Sequence, residues 1–262
     1  LDLLRQAGYM HRDISGGNCM VYFNPKTRTH EAKLADLEFC KSYKSTTCHD
    51  PVTGTFQFMP VESRFRKLLL EPMVGRDDPD DLVRRKFHWH PYHDLESLYW
   101  VMIWYIFFYF PWPNKSNKRP DRDQWHNWRD TCSALFNSDD STFHCRRDIL
   151  LRPKPTLSDH LLHWGWDEST VNILSRVLSL GVEIVMVYQH IQKQPQNVNS
   201  KWPIDLFRGE VYEEFRNTLA EASKALGSGK VVAMNSLNPD LKRKRDSSTG
   251  RSAPRKKGKE AT

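Results

Sequence analysis

Tyr9 to Phe23 reads YMHRDISGGNCMVYF, a polar centre between two apolar runs, and its surroundings decide what kind of structure carries it. Upstream, LDLLRQAGYM has apolar residues at Leu1, Leu4 and Ala7 with a glycine near its end, the pattern of the last turns of a helix. Downstream of Asn18, CMVYF is a short β-rich run, NPKTRTHE is polar turn material, and AKLADLEF is a second short strand. A helix therefore delivers a loop at His11, and a β-hairpin leaves it.

The rest of the chain is read against that start. Of 262 residues, 39% are hydrophobic and 12% aromatic, ample for a buried core. Five scattered cysteines with no C-x-x-C pair argue against a disulfide framework or zinc ribbon and for a reducing, intracellular compartment, nucleus or cytoplasm. The segment from Leu241 to Thr262 holds nine Lys/Arg against two Asp/Glu and so carries the whole formal charge of +7. The remainder is formally neutral and has no global field to draw it onto nucleic acid, so no specific nucleic-acid partner is expected.

The run DLESLYWVMIWYIFFYFPW is apolar from Leu98 but stops at Pro111 and Pro113, short of a bilayer span, so it is expected to be a buried core helix and no membrane partner is expected. Core packing also accounts for its aromatic residues, Tyr99 to Phe110, since no basic residue is interleaved for nucleic-acid stacking. Helices are predicted through DQWHNWRDTCSALF and STVNILSRVLSLGVEIVMVYQHI. The charged stretch Glu71–His93 and the Ser/Thr-rich stretch Cys40–Gly54 read as an irregular excursion and an exposed loop. The fold class is α+β, mainly α, with a small hairpin after the loop; residues 1–195 form the main body, 196–234 a helical C-terminal extension, and 235–262 a basic tail expected to be disordered.

The chemistry rests on spacing. His11-Arg12-Asp13-Ile14-Ser15-Gly16-Gly17-Asn18 matches H-R-D-x-x-x-x-N, a loop of phosphoryl transfer, a reaction that asks for positioning and charge neutralisation more than for covalent chemistry. Asp13 suits acceptance of a substrate hydroxyl proton, and the Asn18 amide oxygen suits a hard cation such as Mg2+. Three further matches follow in order. Asp36 in LADLEF stands where a magnesium-chelating aspartate would be; Gly54 to Glu62, GTFQFMPVE, fits the G-T-x-x-[YF]-M-x-x-E end of an activation loop; and HDLESLYW sets Asp94 and Ser97 at a D-x-x-S spacing.

On those residues the chain resembles the larger, C-terminal lobe of a protein kinase-like domain, and most closely the fungal-type protein kinase family, over roughly residues 1 to 190. The resemblance implies ATP and Mg2+ as cofactors, a protein substrate, Asp13 as base with Arg12 beside it, and Asn18 and Asp36 as metal ligands. It also implies Gly54 and Thr55 in the substrate platform, His11 and Asp94 supporting the loop from beneath, and Glu62 paired with an arginine from a later helix. Departures are equally legible: Ser15 and Gly17 stand where lysine or arginine would discriminate the hydroxyl acceptor, and Leu37-Glu38 replaces Phe-Gly. Gly54-Thr55 leans towards Ser/Thr acceptors.

Before Asp13 the sequence has no Gly-rich phosphate loop, nucleotide-binding lysine or helix glutamate. The expectation is therefore an N-terminally shortened chain, inactive alone, from an active parent. A small-molecule phosphotransferase of the aminoglycoside or choline kinase type would lack GTFQFMPVE, and a non-catalytic scaffold is the rival from another class. Ser42, Ser45, Thr46 and Thr47 are candidate phosphorylation sites for Arg12 to read. His88, His90 and His93 are not expected to hold a metal, because Pro91 breaks any helical spacing. The basic clusters Lys242–Arg245 and Arg255–Lys257 resemble a bipartite nuclear import signal, with an import receptor as partner across Lys242 to Lys257.

Overall fold

A computed structural model describes residues 1–45, 52–70, 87–111, 120–152, 156–196, 201–227 and 231–233. Thr46, Thr47, Cys48, most of the Glu71–His93 stretch and both basic clusters lie outside the described residues.

Helix α3 (Pro91–Phe108) is the axis around which the rest is arranged. Its sequence is apolar nearly all round, a composition that is stable only when neighbours surround the helix. Trp100, Ile103 and Phe107 are almost fully buried within it. Pro91 occupies the first helical position, where its missing N–H costs nothing and its fixed φ is already helical. This corrects the sequence reading: Pro91 starts the helix instead of separating the histidines around it.

On this helix pack α4 (Arg122–Phe136) and α7 (Glu168–Gln192), and against α7 in turn pack α5 (Asp140–Leu151), α6 (Thr156–His163) and α8 (Glu210–Leu226). Local sequence sets several of their starts. Asp121 accepts from the Gln124 N–H at 2.8 Å while the Gln124 side chain accepts from the Asp121 N–H at 2.9 Å, a reciprocal cap. Asp139 and Asp167 likewise accept from Thr142 and Thr170 at the starts of α5 and α7. By length and composition α7 is apolar enough to cross a bilayer, but it packs against α3, α5, α6 and α8, and Leu180, Ile184 and Tyr188 are buried.

The N-terminal part is built from short pieces. Helix α1 (Asp2–Gln6) leads into β1 (Tyr9–Met10), and the hairpin of β2 (Cys19–Asn24) and β3 (Thr29–Leu34) follows the His11–Asn18 loop, in register from Cys19↔Leu34 to Asn24↔Thr29. Strand β4 (Lys41–Ser42) returns antiparallel to β1. After a 3-10 turn at Phe56–Phe58 comes α2 (Val61–Phe65). The outer hairpin exposes Met20, Val21 and Phe23.

Two expectations need correction. Within Cys40–Gly54, Tyr43 is no exposed loop residue: its ring is 4% exposed, packed edge-on to Phe207, and its N–H donates to the Gly8 carbonyl at 2.8 Å. Nor is the C-terminal extension wholly helical or merely appended. It ends in β6 (Val231–Ala233), antiparallel to β5 (Tyr109–Pro111) just after α3, and it buries Trp202, Phe207 and Phe215 in the common core.

Candidate active site

The His11–Asn18 loop is held from below by one carboxylate. Asp94, in the first turn of α3 and 3% exposed, accepts the His11 N–H at 2.7 Å and the Arg12 N–H at 2.9 Å. Burial pushes its carboxyl up from the ordinary range, and the two N–H groups act against that push by favouring the ionised form. Arg12 takes a left-handed backbone at φ 72°, a conformation that is costly for a long side chain, and its guanidinium lies over the Trp89 ring at 5.5 Å. His11 is fully buried, donates from Nε2 to the Ala35 carbonyl at 2.9 Å, and accepts the Asp13 N–H at Nδ1 at 3.3 Å, a pattern that uses a single tautomer.

With the backbone so fixed, Asp13 faces three polar groups. Its Oδ1 accepts from the Thr55 N–H at 2.7 Å and the Thr55 hydroxyl at 2.8 Å. Its Oδ2 accepts from Asn18 Nδ2 at 3.3 Å, the same nitrogen that donates to the Asp13 carbonyl at 2.9 Å. Ser15 closes the turn between them, its carbonyl and hydroxyl both accepting the Asn18 N–H. Gly54 sits at φ +110°, and a Cβ there would lie 2.9 Å from the Arg12 carbonyl oxygen, so Thr55 reaches Asp13 only because its neighbour lacks a side chain.

Asp36 is brought to the same place through its neighbour. The Ala35 N–H donates to the Asn18 carbonyl at 2.9 Å, and the Ala35 carbonyl takes the His11 bond, so the backbone before Asp36 is tied at both sides to the loop. Asp36 has a left-handed φ of 60°, a region that a short polar side chain tolerates better than most, and its exposed carboxylate makes no hydrogen bond to another described residue. Asn18 spends its amide nitrogen on Asp13, which leaves its amide oxygen unengaged. An amide oxygen and a carboxylate are the kinds of hard-oxygen donor that a cation of the magnesium class takes.

Among the described residues, partners of Glu62 come from α3, α7 and the turn after α2. It is buried in α2, where it accepts the Leu69 N–H at 2.6 Å and Gln192 Nε2 at 2.5 Å, and meets His93 Nε2 at 3.0 Å. The buried arginine of a later helix, Arg146, goes instead to the carbonyls of Gln57, Met59 and Leu135 and lies over the Trp100 ring at 4.8 Å. Burial pulls Arg146 down to about 9. It thus clamps the Phe56–Phe58 turn against α4 and α5 by its donors, without a carboxylate partner at the turn itself.

Glu62, His90 and His93 also bring three ligand-capable atoms within 4.8 Å of one another, a grouping that the HWHPYH reading did not foresee. The His90 and His93 rings stack at 3.7 Å. The hydrogen bonds nevertheless oppose a metal. His93 Nδ1 accepts the His90 N–H at 2.9 Å, which leaves its proton on Nε2, and that proton is directed at Glu62. A ligating Nε2 would require that bond to be given up. Burial, with His88 nearby, holds both rings well below the ordinary imidazole range, as expected of neutral donors in a packed core.

The comparison with known families bears on the N-terminal part. Residues 1–106 match the family model described as fungal protein kinase. The fungal protein kinase match takes in the Asp13 loop, the hairpin, Asp36, the Gly54–Glu62 segment and most of α3. No curated protein and no solved structure gives a significant match to the chain.

Sequence reasoning missed two buried groups that serve this site. Glu96 accepts from the Val61 N–H at 2.8 Å, Trp100 Nε1 at 3.0 Å and the Tyr188 hydroxyl at 2.7 Å, so it fastens the end of the Gly54–Glu62 segment to α3 and α7. Its signal was present as the second of two carboxylates opening an apolar helix. Lys201 had none, since nothing in NSKWP distinguishes a buried lysine from a solvated one.

Proposed function

We propose that this chain is the catalytic, helical part of a protein kinase that transfers the γ-phosphoryl group of ATP to Ser/Thr hydroxyls of a protein. The observation that carries the reading is the Asp13 carboxylate. It is gripped by Thr55 and Asn18 on a loop that Asp94 fixes from beneath, within the fungal protein kinase match.

Asp13 orients the acceptor hydroxyl and takes its proton. Oδ1 is committed to Thr55, so Oδ2, with only the long Asn18 bond, is the oxygen that faces the acceptor. Thr55 ties the position of the base to the segment on which an acceptor peptide would lie, so base and acceptor are aligned together. Asn18 and Asp36 would hold Mg2+, which when bound neutralises phosphate charge. Arg12 and His11 shape the loop, and Glu62 with Glu96 anchors the far end of the platform.

The test is phosphoryl transfer from labelled ATP to a protein acceptor by the protein that carries this chain. Asp13→Asn is expected to lower kcat by about 10³-fold with the circular dichroism spectrum unchanged. Transfer undiminished in that variant would overturn the assignment. A scaffold role, favoured by Leu37-Glu38 in place of Phe-Gly, would instead give a wild-type protein with no transfer at all. The basic clusters between Lys242 and Lys257 suit an import receptor; deletion of residues 241–262 from a fluorescent fusion is expected to abolish nuclear accumulation.

A further inference from the structure

The C-terminal extension lies beyond the family match, yet it reaches the segment between Asp36 and Thr55. Lys201 is 8% exposed, and its ammonium donates to the carbonyls of Tyr43 at 2.6 Å and Ser45 at 2.5 Å. It also lies 5.4 Å from the centre of the Tyr43 ring. The next residue returns the contact, because the Tyr43 hydroxyl donates to the Trp202 carbonyl at 2.9 Å. Both tryptophan and tyrosine are buried, and Phe207 closes the cluster.

The geometry points to Lys201 as a positioning residue: its cation, held on the Tyr43 and Ser45 carbonyls, orders the start of the segment that runs to Thr55, with no phosphate group required. An ammonium removed from water must find oxygen acceptors, and two backbone carbonyls supply them; reciprocally, those carbonyls belong to a stretch with little helix or strand of its own. Tyr43 transmits the effect in the other direction. Its N–H is bonded to Gly8, and β4 just before it pairs with β1, which runs directly into His11. The extension, the segment and the Asp13 loop therefore form one hydrogen-bonded chain. Ser42 needs no added charge to take part, since its hydroxyl already accepts the Lys44 N–H at 3.3 Å.

The inference rests on the kinase reading only for its consequence in catalysis. Its test does not, because the readout is amide hydrogen exchange of the full chain without nucleotide, on protein shown by mass to carry no phosphate. In Lys201→Met, exchange of the amides from Ser42 to Ser45 is expected to speed up at least about ten-fold while α3 amides keep their protection, and Lys201→Arg is expected to restore most of the protection. Unchanged exchange in Lys201→Met, or an equal rise across α3 and α7, would overturn the proposal. Should Lys201→Met fail to fold, Tyr43→Phe carries the test through loss of the Trp202 bond: a rise of about three-fold confined to the same amides supports the proposal, and no rise overturns it.

Discussion

Asp94 is where a single side chain has the largest reach. Both its oxygens are filled by N–H groups of the loop it supports, and the carboxylate is buried. In Asp94→Asn one of those N–H groups would face an amide NH2 instead of an acceptor, and an unsatisfied buried donor costs about 2 kcal/mol. Urea unfolding is expected to show a loss of that size, with the midpoint shifted and the slope unchanged. That the carboxylate would brace the loop came from the resemblance carried by HDLES, since an acid in the first turn of a helix can equally serve the helix dipole or a cap. The contact between Thr55 and Asp13 was not: the two are 42 residues apart, and only the close approach of Gly54 to Arg12 makes the bond geometrically possible.

At the scale of elements, α3 and α7 are joined by buried polar groups whose behaviour follows from their surroundings. Burial, partly offset by three hydrogen bonds, pushes the Glu96 carboxyl up to about 7. The folded state therefore holds this proton across a range in which the unfolded chain has released it, so the contribution of Glu96 to stability falls as pH rises from about 4.5 towards 7. His90 and His93, held neutral, act in the opposite sense and weaken the fold below about pH 6.5. Glu96→Gln keeps an oxygen for Val61 and Trp100 and offers an NH2 to the Tyr188 hydroxyl. The stability of this variant relative to wild type is expected to rise by about 2 to 3 kcal/mol between pH 5 and pH 8, measured as the difference in urea midpoints, which cancels the histidine contribution.

Gly181 within α7 makes the packing argument sharper. Alanine is intrinsically the better helix former by about 1 kcal/mol, yet a Cβ here would stand 2.9 Å from the Tyr99 hydroxyl oxygen and 3.0 Å from its ring carbon. Tyr99 is 1% exposed and donates to the Leu178 carbonyl at 3.1 Å, so it has nowhere to move cheaply. Gly181→Ala is expected to lower stability by about 1 to 2 kcal/mol net, read as a drop in melting temperature. The two long helices themselves were readable from composition, α7 from a Leu-rich stretch and α3 from its uninterrupted apolar run. Which glycine is a close approach was not readable, since that depends on a tyrosine from another helix.

For the molecule as a whole, the boundary drawn near residue 195 does not behave as a boundary. Arg5 donates to the Phe207 carbonyl at 2.8 Å, Tyr92 to the Arg208 carbonyl at 3.2 Å and Tyr212 to the Pro91 carbonyl at 3.1 Å, so the extension is bonded to both the first helix and the start of α3. Residues 1–195 alone would expose the faces that Trp202, Phe207, Tyr212 and Phe215 cover. That truncated chain is expected to lack a cooperative thermal transition, whereas the full chain shows one; a sharp transition in the shorter chain would contradict the integrated core.

Local chemistry alone determined much of this protein. The order and spacing of Asp13, Asn18, Asp36, Gly54-Thr55 and Asp94, the hairpin after the loop and the long helices are properties of short windows, where turn formers, periodicity and oxygen donors act at near neighbours. Only the tertiary structure decided that Glu62 meets a histidine, that Arg146 spends its donors on carbonyls, that Tyr43 is buried and that Lys201 is its partner. Those choices rest on contacts between residues up to 159 positions apart, where burial sets the cost of an unmet polar group and no short window of sequence records who will meet it.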